Sequence, residues 1–226
     1  MITHPTSRDL FLLEGADVAR DEPDPDWPRA ARDALPAARE IHDWARAYLS
    51  RPHPELGRPG PVCPYVPGSL RAQRFWVTAC GGTRPDRQAA IKTVLAYRDW
   101  FLSLEPRDGG ASRLKTILVL FPDVSLADAP AVIDGAQRVL KPHFVREGLM
   151  VGEFHPVPPR TPGLWNHAFR PLRSPVPLLA MRHMVSSDLP FLIDDRESLA
   201  AYLRRFSERV PAHCRARLAA ALADAA

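Results

Sequence analysis

Apolar and polar residues alternate along the chain in blocks that predict an ordered series of elements. In residues 36–49, Ile41, Trp44, Ala45, Tyr48 and Leu49 recur at the spacing of a one-sided helix, which ends at Ser50 before Pro52. Within residues 70–80, Phe75, Val77 and Ala79 alternate with Arg74, Trp76 and Thr78, the pattern of a strand stopped by Gly81 and Gly82. Residues 86–104 place Ile91, Val94, Leu95, Phe101 and Leu102 on one helical face. The continuous apolar run at 115–123 has the length of a buried central strand.

A third helix is expected over 126–146, interrupted near Pro142 and closed at Gly148, followed by strands at 149–154 and 176–183. Two more helices, at 195–209 and 212–225, complete the chain, with Asp194 and Glu197 at the spacing of a capping box. Residues 1–35 mix Pro23, Pro25 and Pro28 with acidic residues and show no period, so they read as an N-terminal arm. Strand, helix, strand, helix, strand, strand, helix is the order of an α/β (α+β) fold. The expected architecture is a single domain over 36–226, with a mixed sheet of about four to six strands, flanking helices and long proline-rich loops.

Composition sharpens the loops. Twenty-five prolines against 12 glycines is a heavy load, and residues 51–68 alone hold six prolines and three glycines, too many for a regular element. Ordered loops of that length are often functional, because their backbone must find partners elsewhere. The net charge of +4 comes from 30 basic and 26 acidic residues mixed along the chain, so no basic stripe points to nucleic acid. No apolar run has the length of a membrane span and no signal-peptide layout opens the chain, so a cytoplasmic protein with no membrane contact is expected.

Candidate chemistry gathers in residues 53–76 and 153–183. Cys63, in the sequence VCPY, could ligate haem iron, act as a nucleophile or simply fill space. Cys80 and Cys214 are expected to be structural, and the three cysteines form neither a disulfide framework nor a CxxC site. His53 lies ten residues before Cys63 in the same loop. His155 follows Glu153 at a strand end, from which a side chain often points into a cleft, and His167 sits between Trp165 and Phe169. For each histidine a hydrogen-bonded or surface role is the bland alternative. Arg170, Arg173 and Arg182 lie among apolar residues, as grips for carboxylates or as a solvated strand edge. No dinucleotide, P-loop or esterase motif is present.

The segments HPELGRPGPVCPYVPGSL and GLWNHAFRPLRSPVPLLAMRHMVSSDLPFL resemble an actinobacterial domain family of unknown function with an HPxLGRxGxVCP(F/Y) motif. More distantly, residues 50–195 are similar to the YqcI/YcgG family. Its Cys loop, alternating strand, helix, apolar strand and late aromatic-arginine segment correspond to 61–65, 73–80, 86–104, 117–121 and 165–182. The loop here is expanded by GRPG, and the family's paired arginine-serine ending is absent or displaced.

Some members of that family are haem-dependent N-oxygenases acting on an amino acid or guanidine group. The resemblance therefore implies haem, with His53 or Cys63 at the iron and His155, His167 and His183 in reserve. It implies Tyr65, Trp76, Trp165 and Phe169 as aromatic walls, and Arg170, Arg173 and Arg182 for the propionates. Glu153 would pair with a basic nitrogen of a small-molecule substrate, with His155 beside it as a second catalytic group. An electron donor and a homodimer are the further partners that this reading leaves room for. The rival readings are a haem-free enzyme with a Cys63 nucleophile and a histidine base, and a non-catalytic binding module.

Overall fold

The computed structural model describes residues 1–7, 9–81, 85–161 and 166–223. Its centre is a four-stranded mixed sheet of β3 (Phe75–Ala79), β4 (Thr116–Leu120), β5 (Leu149–Phe154) and β6 (Leu178–His183), in the order β3-β4-β6-β5. β3 and β4 run parallel, as a strand-helix-strand crossover requires, and β4-β6 and β6-β5 are antiparallel. The registers Ala79 with Leu120, Leu120 with Leu178, and Leu178 with Phe154 bring the ends of β3, β4 and β5 and the start of β6 to one edge of the molecule.

Helices cover both faces, which is why β4 reads as an unbroken apolar run rather than an alternating one. On one face, α4 (Arg87–Ser103) and α6 (Gly135–Arg146) pack Val94, Phe101 and Leu140 against Ile117, Val119 and Met181. On the other, α2 (Arg29–Trp44) lays Ala31, Ala34, Leu35, Ala38 and Ile41 against Phe75, Val77, Leu118 and Leu178. A third cluster joins α7 (Arg196–Phe206) and α8 (Ala212–Ala223) to Met150 and Met184 at the opposite edge of the sheet.

The first 35 residues are not an arm. Phe11, Leu12 and Leu13 are buried, and Leu13 exchanges two backbone hydrogen bonds with Val77, of 2.8 and 3.0 Å, along the outer edge of β3. β1 (Ile2–Thr3) and β2 (Phe11–Leu12) form a small hairpin, and α1 (Gly15–Val18) follows it. The Tyr97 hydroxyl pins the hairpin to α4, accepting the Phe11 N–H at 3.3 Å and lying 2.7 Å from Thr78 Oγ1. A strand pair of two residues has no period to read.

α2 likewise begins seven residues before the expected position, with Pro36 inside it. Proline in a helix interior costs about 3 kcal/mol. Here the buried stripe of small residues on both sides of Pro36 offsets that cost. The helix continues through a wider turn, Ala45–Leu49, to Ser50 as expected.

Two further boundaries differ. The segment expected as a strand from residue 70 starts as the helix α3 (Val66–Arg71), whose Pro67 sits in the first turn, where a missing N–H costs nothing. The N-cap of α7 is Asp195, whose Oδ1 accepts the Ser198 N–H at 2.7 Å, in place of the expected Asp194 and Glu197 box. Among the described residues no helix is long and apolar enough to cross a membrane.

Candidate functional site

Two proline-rich loops build the site. The first closes on itself as a hairpin: Pro52 bridges Pro61, and the Val62 and Cys63 N–H groups donate to Arg51 O and Leu49 O, each at 2.9 Å. Prolines cannot donate, so the carbonyls here need another source of N–H. Arg58 supplies it, its guanidinium donating to Pro59 O, Pro61 O and Val62 O at 3.2, 3.1 and 3.0 Å. At the tip, a short turn, Pro54–Leu56, is entered from His53 and left through Gly57, whose φ of 72° suits glycine.

The second loop spans 155–177, between β5 and β6. Its root is fixed by a bridge between His155 and Arg173 and by the Ser174 N–H donating to His155 O at 3.3 Å. His155 is buried, and its two nitrogens do different work. Nδ1 accepts the Val157 N–H at 3.3 Å, so Nε2 carries the proton given to Asp134 Oδ1 at 3.0 Å. The ring thus holds the start of the loop against the Pro130–Asp134 turn that leads into α6.

Between the loops and the end of α2 lies a cleft of about 830 Å³. It is lined by Trp44, Tyr48, His53 and Glu55 from one side of the chain and by Pro156–Pro158, Phe169, Arg170 and Arg173 from the second loop. His53 stacks on Phe169 with centroids 4.6 Å apart and planes 17° apart, and meets Tyr48 edge-on at 6.0 Å and 75°. Glu55, on the hairpin tip, accepts the Asn166 Nδ2–H from the second loop at 3.2 Å. Burial, with the Glu55 charge adding and Arg173 opposing, pushes the Tyr48 phenol up to about 12, so Tyr48 stays neutral at physiological pH.

Of the residues singled out from sequence, His53, Phe169, Arg170 and Arg173 meet at this cleft, with the exposed His167 beside it. Trp165 lies outside the described residues. Trp76 is buried in the core on the α4 face, because alternation along β3 turns it away from α2. Cys63, Tyr65 and Arg182 form a separate group on the α2 face. There Arg182 spans Asp188 with two hydrogen bonds of 2.6 and 2.8 Å and lies 5.8 Å over the Tyr65 ring. Burial disfavours the Arg182 charge, but Asp188 outweighs it and holds the guanidinium firmly protonated. Cys63 is half-buried and lies close enough to Arg182 for their charges to interact.

Glu153 is on the opposite face of β5 from Phe154, beside Asp134. Burial and the Asp134 charge push its carboxyl up to about 7, partly opposed by Lys141. Glu153 and His155 thus share Asp134 as a neighbour. Missed from sequence were Trp44, Tyr48, Glu55, Asn166 and Asp134. Trp44 and Tyr48 were counted into the apolar stripe of α2; their spacing of four at the end of that stripe is the signal that they share one face past the sheet.

A haem held in this cleft needs one axial donor, an apolar slot and cations for its carboxylates. His53 has Nε2 free of hydrogen bonds among the described residues, while Nδ1 accepts the Glu55 N–H at 3.3 Å and lies 4.0 Å from Glu55 Oε2. The rings of Trp44, Tyr48 and Phe169 and the guanidinium of Arg173 supply the rest, so these residues fit the group. Cys63, Tyr65, Trp76 and Arg182 do not line the cleft.

The model of a domain family of unknown function, DUF6875, matches residues 38–217, a range that includes both loops and every residue of the cleft. No curated protein and no solved structure gives a significant match.

Proposed function

We propose that this chain, which belongs to the DUF6875 family of domains of unknown function, is a haem-dependent oxidative enzyme. Its substrate is a small amino-acid-like or guanidine molecule, oxygenated at nitrogen in specialised metabolism. The observation that carries this reading is the cleft itself, where an imidazole, aromatic rings and two guanidinium groups, that of Arg170 already donating to His167 O and Phe169 O, converge at the carboxyl ends of the strands. Open α/β sheets commonly bind ligands at that edge. The distant resemblance of residues 50–195 to the YqcI/YcgG family, some members of which are haem-dependent N-oxygenases, supports haem as the cofactor.

When bound, haem supplies one-electron and dioxygen chemistry that no side chain can. The chain's own part is to bind and orient. His53 would hold the iron through Nε2 only in the tautomer that carries its proton on Nδ1, toward Glu55 Oε2 at 4.0 Å, which gives up the Glu55 N–H that Nδ1 accepts here. Arg170 and Arg173 would pair with the carboxylates of the group, and Pro156–Pro158 with Phe169 would add apolar lining beside it. The reading also calls for an external electron donor.

The test is an absorption spectrum of protein reconstituted with haem, before and after reduction and carbon monoxide. An intense Soret band that shifts with carbon monoxide is expected, and His53→Ala should lose it. Full retention of the spectrum in His53→Ala would remove His53 as axial ligand, and absence of any band in the unaltered chain would end the haem reading.

A further inference from the structure

The cleft contains a corner of aromatic rings with a carboxylate beside it, the same rings that would flank a haem there. Tyr48 and His53 meet at 75°, Trp44 lies nearly parallel to Tyr48 at 28°, and Phe169 nearly parallel to His53 at 17°. All four rings line the cleft, and Trp44, Tyr48 and His53 are half-exposed to it. Glu55 lines it too, with Oε1 taken by Asn166, which leaves one oxygen to face a ligand. The Arg173 guanidinium lines the cleft and makes no hydrogen bond among the described residues.

We propose that the cleft binds a small zwitterion, with an alkylated ammonium in the aromatic corner against Glu55 and a carboxylate on Arg173. Ring faces attract cations, and rings set at a steep angle enclose a rounded cation with an apolar coat better than a flat one. A guanidinium asks for two carboxylate oxygens in a fork, and Glu55 presents one. Arg173, with a full set of free donors, suits the carboxylate at the other end. The proposal rests on this cleft being the ligand site and concerns the haem-free chain, because it uses the rings and the Arg173 guanidinium that would hold haem.

The experiment is isothermal titration calorimetry on the haem-free full chain with trimethylglycine, glycine, tetramethylammonium and arginine. Trimethylglycine is expected to bind about tenfold more tightly than glycine, which shares its carboxylate but lacks the methyl groups. Glu55→Gln should weaken it about tenfold, and Arg173→Gln should reduce it to the level of tetramethylammonium. Unchanged thermal midpoints of both variants would show that the fold is intact, as expected for exposed side chains. Equal binding of glycine and trimethylglycine, no binding at millimolar concentration, unchanged affinity in Glu55→Gln or tighter binding of arginine would each overturn the proposal. A missing Soret band leaves this binding unaffected, whereas bound haem would compete with trimethylglycine for the same rings and Arg173.

Discussion

Asp188→Ala is expected to destabilise the chain by about 3–5 kcal/mol, the range for removing one partner of a buried ion pair. Asp188 is 2% exposed and accepts three hydrogen bonds: two from Arg182 and one from the Val185 N–H at 2.8 Å. Without it, Arg182 keeps the His183 carbonyl at 2.9 Å and the Tyr65 ring, neither of which neutralises its charge. Asp188→Asn keeps an acceptor for Val185 but not the charge, and should fall between the two. Denaturant titration of the three proteins checks this ordering. A loss below about 1 kcal/mol in Asp188→Ala would mean that Arg182 finds water or another partner. The exposed pair Arg29 and Asp33 provides the contrast: Asp33→Ala should leave the midpoint unmoved.

That ion pair also shows why part of the site was illegible. Arg182, Arg170 and Arg173 look alike in sequence, each among apolar residues of one segment. What separates them is Asp188, six residues beyond Arg182 on a turn, Ser186–Phe191, that folds back on the end of β6. The partner makes Arg182 structural, whereas the Arg173 guanidinium on the loop has no hydrogen-bond partner among the described residues. Trp76 parted from the other aromatic candidates for a related reason. Alternation was visible along 70–80, but which side of the sheet would face the loops depended on where α2 packed.

Elements long enough to repeat their own period were readable: α4, β5 and the end of α2 lie where the pattern put them. Short elements held by distant partners were not, and Leu13 on the edge of β3 is the clearest case, being supported by Val77 from 64 residues away. Membership of the family follows the same line. The match over residues 38–217 omits β1, β2 and α1, although Phe11, Leu12 and Leu13 are as buried as any residue of the sheet.

Acid should destabilise the protein through His42, and His42→Leu should remove much of that sensitivity. His42 is on the buried stripe of α2, 2% exposed, edge-on to Phe75 at 5.1 Å, and neither ring nitrogen has a hydrogen-bond partner among the described residues. Burial lowers its pKa from 6.5 to about 4, with the Arg46 charge adding and Asp43 opposing. Between those values the unfolded chain takes up a proton that the folded chain refuses, so stability is full above pH 6.5 and falls as pH drops toward 4. At 1.36 kcal/mol per unit this amounts to about 3 kcal/mol. His183, also lowered to about 4 by burial with Lys115 adding, titrates in the same direction over the same window. The measurement is unfolding free energy at pH 7 and pH 4 for both proteins. A smaller loss in His42→Leu, with His183 accounting for part of what remains, is expected. Equal losses would place the proton uptake elsewhere, because leucine fills the same apolar site without a group to titrate.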